Sequence, residues 1–228
     1  MKFKFRETVN PFHNDKSVKY LSNIAFNSQE SILLDFIVAA FEMEDENNRR
    51  EYFTKIKEYY LNKGVLFDIQ EFDEHVDNFL SKNYGNMKGA FLEVLIYDLI
   101  NEYCLNDKIY KECKVTYNGV EKNHPYDLIT LNNIIRFIDI KFSCHHLKAN
   151  HLKYLTEYLN EENTEAYLIS LDPLSKIVNQ LNLLNFKNEI SDKECEYFKD
   201  NIKFITNREI YASILHKQCL TNLVKLYH

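Results

Sequence analysis

The chain has 228 residues, of which 45% are hydrophobic, and its formal net charge is −6. This length supports a substantial core, and the presence of only 4 glycines and 3 prolines argues against a flexible linker or a low-complexity segment. No apolar run is long enough to span a membrane, and the opening MKFKFRETV lacks the apolar core of a signal peptide. An acidic chain is not a typical free-standing nucleic-acid binder, so a polyanion would have to meet a local basic surface.

The cysteines are scattered, and no two of them form a Cys-x-x-Cys pair. There are five, at Cys104, Cys113, Cys144, Cys195 and Cys219. An odd number without close spacing predicts neither a disulfide framework nor a zinc ribbon. We therefore expect reduced thiols and a cytoplasmic protein.

The first part of the chain is predicted to be helical, after a short edge strand over residues 2–9. Apolar spacing predicts three helices there, over residues 28–43, 47–64 and 71–85. Asn27 or Ser28 is the candidate N-cap of the first of these helices, and Gly64 is expected to end the second helix. We expect residues 1–84 to form a helical extension that supports the remainder or docks a partner.

The second part of the chain, residues 85–228, alternates between helical and strand periodicity. The predicted elements are a helix over 86–103, strands over 110–117, 126–131 and 134–143, a helix over 147–160, a strand over 166–172, a helix over 174–187, a strand over 202–206 and a helix from about 208. Asn118-Gly119 predicts a tight turn after the first strand. This order predicts an α/β fold, in which a mixed central sheet is flanked by helices.

Apart from Arg136, the strand over residues 134–143 is apolar until its end, which carries Asp139 and Lys141. Side chains two residues apart on a strand share a face, and charges on a buried strand are expensive unless they are paired or bound. Asp127 begins the preceding strand, and Glu93 faces inward from the preceding helix. Converging carboxylates beside one ammonium suit a divalent cation such as Mg²⁺, which predicts metal-assisted phosphodiester hydrolysis.

The pattern carried by these residues is Gly89-x-x-x-Glu93, then Asp127, then Asp139-Ile140-Lys141. In the order helix, three strands, helix, strand, it resembles the PD-(D/E)XK nuclease superfamily over residues 85–172. The resemblance implies that Asp127, Asp139 and Glu93 are catalytic acids that bind Mg²⁺ or Mn²⁺. It also implies that Lys141 is the catalytic lysine that assists the attacking water, with the carbonyl of Ile140 as a further metal ligand.

This assignment requires a particular strand register. A two-residue turn at Asn132-Asn133 would put Asp127 opposite Ile138, and the two acids would then lie on opposite faces of the sheet. A three-residue loop over residues 132–134, or one bulge, brings Asp127 to the face of Asp139. The functional hypothesis therefore predicts the longer loop.

A basic strip follows the Asp-x-Lys pattern, with no acid between Lys141 and Glu157. Within it, Lys148, Lys153 and His151 are the candidate nucleic-acid contacts, because they could meet phosphates beside the metal. The alternative is a solvated helix face that happens to be basic. A zinc site at the cysteine and histidines of this segment is disfavoured by their spacing.

Three functional interpretations stay open. The first is a Mg²⁺-dependent nuclease, more readily on DNA than RNA; the second is an inactive relative that serves as a binding or assembly subunit. In the third, Asp139 and Lys141 form a structural ion pair in an unrelated α/β protein. Superfamily members act in restriction, repair, recombination, RNA decay and anti-phage defence. A small acidic nuclease with a helical extension resembles a defence effector that works with a helicase or ATPase partner, such as the Hachiman type.

Overall fold

The chain divides into two compact units. The computed structural model describes residues 3–27, 32–64, 68–104, 107–122 and 124–224. The sheet unit comprises Met1–Asn10, Leu99–Ser213 and Gln218–His228, and the helical unit comprises Pro11–Asp98 and Ile214–Lys217. A single boundary between residues 84 and 85 stays a prediction.

The helical unit is built from α1 (Lys16–Phe26), α2 (Ile32–Glu42), α3 (Glu46–Asn62), α4 (Ile69–Ser81) and most of α5 (Tyr84–Tyr103). An aspartate begins each of α1, α3 and α4, where its carboxylate accepts backbone N–H bonds. The sequence analysis missed α1, and Asn27 is the C-cap of α1; Ser28 lies outside the described residues. Gly64 follows α3 and has a φ of 64°. This left-handed conformation is the one expected of a glycine that ends a helix.

The sheet unit contains seven described strands: β1 (Phe3–Glu7), β2 (Lys108–Tyr117), β3 (Val120–Glu121), β4 (Tyr126–Leu131), β5 (Ile135–Lys141), β6 (Thr164–Ser170) and β7 (Ile202–Ile205). Their order is β1-β2-β4-β5-β6-β7, with β3 paired to β2. The pairs β5-β6 and β6-β7 are parallel and the others antiparallel. The predicted fold class is confirmed: the protein is mixed α/β, with an open mixed sheet flanked by helices.

The described α-helices that follow α5 are α6 (Ala149–Leu155), α7 (Leu174–Phe186), α8 (Asp192–Asn201), α9 (Asn207–His216) and α10 (Leu220–Leu223). Helix α6 is shorter than the predicted 147–160, and α8 was not predicted. Its signal was present, since Ser191 and Glu194 form a capping box at its start. Among the described helices, none is both long and apolar enough to cross a membrane.

One face of the sheet packs into the hydrophobic core that positions the candidate site. Ile129, Phe137, Ala166 and Ile202 are paired across four neighbouring strands and are almost completely buried. They belong to one cluster with apolar residues of α6, α7 and α8. Asp139 lies two residues beyond Phe137 on β5, so it is on this same face. The acid therefore lies on the strand that carries Phe137, a fully buried residue of this core.

The expectation of reduced thiols is wrong for two of the cysteines. Cys104 and Cys219 form a disulfide across 115 residues of sequence, with their Cα atoms 4.7 Å apart. Cys113, Cys144 and Cys195 are free and buried. The pairing could not be read from spacing, because it depends on where the chain returns in space.

Candidate metal centre

The register of β4 and β5 brings the two aspartates together. Leu131 pairs with Ile135 and Leu128 pairs with Ile138, so the connecting loop has three residues, as the functional hypothesis predicted. The side chain of Asn132 accepts a hydrogen bond of 2.9 Å from the N–H of Ile134, which closes the loop. Continuing this register places Asp127 opposite the acid of β5, on the same face of the sheet.

Lys141 lies between the two acids. Its Nζ is 2.7 Å from Oδ1 of Asp139 and 3.6 Å from Oδ2 of Asp127. The backbone N–H of Ile140 donates to Oδ2 of Asp127 at 2.6 Å, which fixes that carboxylate at the strand end. The carbonyl of Ile140, suggested by the family resemblance as a ligand, is 3.3 Å from Nζ of Lys141.

The electrostatics of this cluster are unbalanced. Asp139 has a side chain only 9% exposed, and its Oδ2 is buried without a hydrogen-bond partner among the described residues. Burial and the negative charge of Asp127 raise the pKa of Asp139 well above its usual range, against the opposing effect of Lys141. The ammonium of Lys141 lies within 4 Å of both carboxylates and is therefore shared between them.

The cluster fits a hard divalent cation. Mg²⁺ and Mn²⁺ take carboxylate oxygens, and Mg²⁺ sites commonly use only one or two carboxylates together with water. The unpartnered Oδ2 of Asp139 offers a buried acceptor, which is costly to leave without a donor or a cation. Asp127 supplies the second carboxylate on a neighbouring strand.

Glu93, the third predicted acid, lies on α5 within the helical unit. Its Oε2 contacts Nε2 of His13 in a short hydrogen bond, and both side chains are largely buried. Gly89 lies one turn earlier, and a Cβ there would meet the Glu93 carboxylate at 3.8 Å, an ordinary contact. The role of Glu93 as a metal ligand stays a prediction.

The sequence analysis missed a further acid of the sheet unit, Glu112 on β2. The pairs Lys111–Leu128 and Cys113–Tyr126 flank it, so it lies opposite Asp127 in the register. Its φ is 42°, which is uncommon for a residue other than glycine, and its Oε1 accepts a hydrogen bond of 3.0 Å from Asn10. The alternating pattern predicted the strand, but no local signal indicated which residue of β4 Glu112 would meet.

Another buried acid, Asp172, follows β6 and holds the turn after β5. It accepts hydrogen bonds from Oγ of Ser143 at 3.0 Å and the N–H of Cys144 at 2.7 Å, and Nζ of Lys176 lies 3.0 Å away. Burial alone would raise the pKa of Asp172, but these hydrogen bonds lower it below its usual value. Asp172 is therefore satisfied by donors, in contrast to Asp139.

The predicted nucleic-acid residues follow this turn, on and just before α6. Lys148 is exposed, and its backbone N–H donates to Nδ1 of His151 at 3.4 Å. Burial, then the positive charges of Lys141 and His124, lower the pKa of His151 to about 4. Lys153 forms an ion pair of 3.0 Å with Glu194 on α8, so part of its charge is already neutralised.

Comparison with known proteins adds no relative. No protein-family model matches the chain, and a search of curated proteins finds no match.

Proposed function

We propose that the protein is a metal-dependent nuclease that hydrolyses phosphodiester bonds, with DNA as its substrate. The observation that carries the proposal is the buried Oδ2 of Asp139, which has no hydrogen-bond partner among the residues that the structure describes, beside a second carboxylate and a lysine at the end of a central strand. Such a group is expensive in an apo fold and becomes useful when a cation binds. The resemblance to the PD-(D/E)XK pattern points to the same reaction.

The chain's own residues have separable roles in this reaction. Asp127 and Asp139 would hold Mg²⁺ or Mn²⁺, with Glu93 as the expected third acid. When bound, the cation would lower the pKa of a water and offset charge on the phosphate. Lys141, between the two aspartates, would orient that water and stabilise the developing anion.

A purely structural ion pair explains this cluster less well. Lys141 would fully compensate one carboxylate, but Asp127 and Asp139 both lie within 4 Å of its ammonium. Burial first, and then the charge of Asp127, raise the pKa of Asp139, so the ion pair with Lys141 does not fully offset the cost of placing this acid here.

Cleavage of supercoiled plasmid in Mg²⁺, Mn²⁺ or EDTA tests the proposal. We expect metal-dependent nicking by the native protein and a loss of roughly 10²-fold or more in Asp127→Ala and Asp139→Ala, the size seen when a group that stabilises the transition state is removed. Lys141→Ala should slow hydrolysis while Mn²⁺ still binds in calorimetry. Asp172→Asn, a buried acid outside the cluster, is the matched control. Undiminished cleavage by both aspartate variants would overturn the assignment.

A recruited role in anti-phage defence is the biological setting we propose, with a helicase or ATPase as partner. The charge distribution supports recruitment: the sheet unit has 18 basic and 18 acidic residues, whereas the helical unit has 10 basic and 16 acidic ones. The acidic helical unit would repel nucleic acid and so suits a protein partner. Copurification from native cells, followed by cleavage with and without the isolated partner and ATP, tests this. Full activity of the protein alone would contradict it.

A further inference from the structure

An exposed aromatic pair lies beside the candidate metal centre. The rings of His124 and Tyr154 are stacked, with centroids 4.9 Å apart and planes 25° from parallel. Tyr154 is 42% exposed and His124 is also exposed. By contrast, Tyr126, Tyr158 and Tyr167 of the same unit are buried in the core. The pair therefore does not serve to fill the interior.

Both rings are held in place by groups next to the acids. Nδ1 of His124 lies 2.6 Å from the carbonyl of Pro125, and because a carbonyl only accepts, the imidazole donates from Nδ1. The hydroxyl of Tyr126 donates to the backbone carbonyl of Tyr154 at 2.7 Å. Tyr126 immediately precedes Asp127, a proposed metal ligand. This hydrogen bond therefore joins the end of α6 to β4, the strand that carries Asp127.

The surroundings of the pair are basic and close to the cluster. The ring of His151, one turn before Tyr154 on α6, is 6.3 Å from the ring of His124. Burial first, and then the positive charges of Lys141 and His124, lower the pKa of His151, and the negative charge of Asp127 opposes them. Exposed Lys148 lies at the start of the same helix. The aromatic pair, His151 and Lys148 therefore lie on or next to α6, which the hydroxyl of Tyr126 joins to β4.

We propose that the His124–Tyr154 pair is a stacking platform for an unpaired base, so that the site takes single-stranded DNA in preference to intact duplex. This inference rests on the proposed nuclease function and specifies its substrate. Every base has a π-face that stacks on an aromatic side chain, whereas in a duplex only terminal bases expose that face. Phosphates beside the stacked base would reach the lysines and the acid cluster.

Binding without turnover tests the platform directly. The probes are a fluorescein-labelled single-stranded DNA 12-mer and a hairpin duplex with closed ends, in buffer with Ca²⁺ in place of Mg²⁺. We expect tighter binding of the single strand, and a loss of roughly tenfold or more for Tyr154→Ala and His124→Ala on that probe alone. Tyr154→Phe should retain binding, since the ring and not the hydroxyl makes the stack. Tyr197→Ala, which removes an exposed tyrosine of α8 in the same unit, is the matched control.

Abasic substitution gives a second readout. Replacing one nucleotide at a time by an abasic site should weaken binding by the native protein most strongly at one position, and that dependence should disappear in Tyr154→Ala. Equal affinities of the native protein for both probes, or no binding of either, overturn the proposal. If the variants lose affinity equally for the single strand and for the duplex, the proposal is also overturned. A protein that binds in this Tyr154-dependent way but never cleaves with Mg²⁺ or Mn²⁺ would retain the platform and disprove the nuclease.

Discussion

Asp139 and Asp172 show how similar buried acids acquire different roles. Each is a carboxylate with very little solvent exposure in the sheet unit. Asp172 accepts from a hydroxyl and a backbone N–H, and Lys176 lies beside it. Asp139 faces a second acid, and its Oδ2 has no hydrogen-bond donor in the described part of the chain. The first arrangement stabilises the fold, and the second leaves an acceptor that the proposed cation would use.

The first prediction compares these two acids by thermal unfolding. Without metal, Asp139→Asn should unfold at the same or a higher temperature than the native protein, because one of two buried carboxylates becomes neutral. Mn²⁺ should raise the melting temperature of the native protein but not that of the variant. Asp172→Asn should behave oppositely: its metal-free stability falls by about 1–3 kcal/mol because donors lose a charged acceptor, and its Mn²⁺ shift remains. A full Mn²⁺ shift in Asp139→Asn would contradict the ligand assignment.

The second prediction concerns acid stability and His151. The pKa of His151 is about 4 in the folded chain, against 6.5 for its ordinary value. Between these pH values the unfolded chain binds a proton that the folded chain does not, so the free energy of unfolding falls as pH falls from 6.5 towards 4. The groups that act on it are Lys141, His124 and Lys148, which lower its pKa, and Asp127, which raises it.

His151→Asn should remove this contribution. Urea unfolding at pH 7.0, 5.5 and 4.5 should therefore show a shallower decline in the free energy of unfolding for the variant than for the native protein. At pH 7 the residue is mostly unprotonated in both states, so its contribution to the slope is smaller there than at pH 5.5. Parallel declines in the two proteins would show that the imidazole is not held neutral.

At the scale of elements, the loop between β4 and β5 decides which face carries the acids. Its three residues allow Leu131 to pair with Ile135, and the whole ladder follows from that pair. A change of one residue would move every side chain of β5 to the other face of the sheet. Such a slip would expose Phe137 and bury charge, so the core and the candidate site depend on the same loop.

The third prediction is that deleting Asn133 destabilises the protein severely. The shortened loop forces either a register slip or a distorted turn, and we expect a loss of more than about 3 kcal/mol in urea unfolding. Asn133→Gly keeps the loop length and is the matched control, with an expected change below about 1 kcal/mol. A deletion variant as stable as this control would show that the register is set elsewhere.

The disulfide joins elements that are distant in sequence, the end of α5 and the start of α10. The fourth prediction is that reduction lowers the free energy of unfolding by about 4–5 kcal/mol, because opening a loop of more than a hundred residues restores entropy to the unfolded chain. Unfolding with and without dithiothreitol measures this. The double variant Cys104→Ser/Cys219→Ser should show no response to the reductant, and an equal response in it would place the effect elsewhere.

At the scale of the whole molecule, the net charge of −6 comes from the helical unit, since basic and acidic residues are equal in the sheet unit. Lys148 is exposed, whereas Lys153 is paired with Glu194 at 3.0 Å. The acidic composition of the chain therefore does not argue against a nucleic-acid surface on the sheet unit. It does argue that few lysines there contribute to binding.

The fifth prediction follows from this difference between the two lysines. Lys148→Ala should reduce the slope of log affinity against log salt by about 0.7 on single-stranded DNA, the value expected for one lost phosphate contact. Lys153→Ala should reduce it less, because Glu194 already offsets its charge, and Glu194→Gln should increase it. Binding titrations between 50 and 200 mM salt measure all three. Equal slopes for every variant would show that these residues do not contact phosphates.

The sequence by itself determined the main strands of the sheet, most of the helices and one half of the candidate site. The alternation of apolar residues predicted β4 and β5, and the strand repeat of two put Asp139 and Lys141 on one face before any tertiary contact was known. The mixed sheet with flanking helices followed from the order of elements. Caps were readable too, although those of α1 and α8 were overlooked.

Only the tertiary structure decided which residues from different elements meet. The loop length, which the sequence left open, set Asp127 opposite Asp139. The register of β2 set Glu112 opposite Asp127 along the strands, and Glu194 came to Lys153 through the packing of α8. The physical reason is that local patterns depend on neighbours along the chain, whereas a carboxylate cluster depends on strand pairing and on the free energy of packing the whole core.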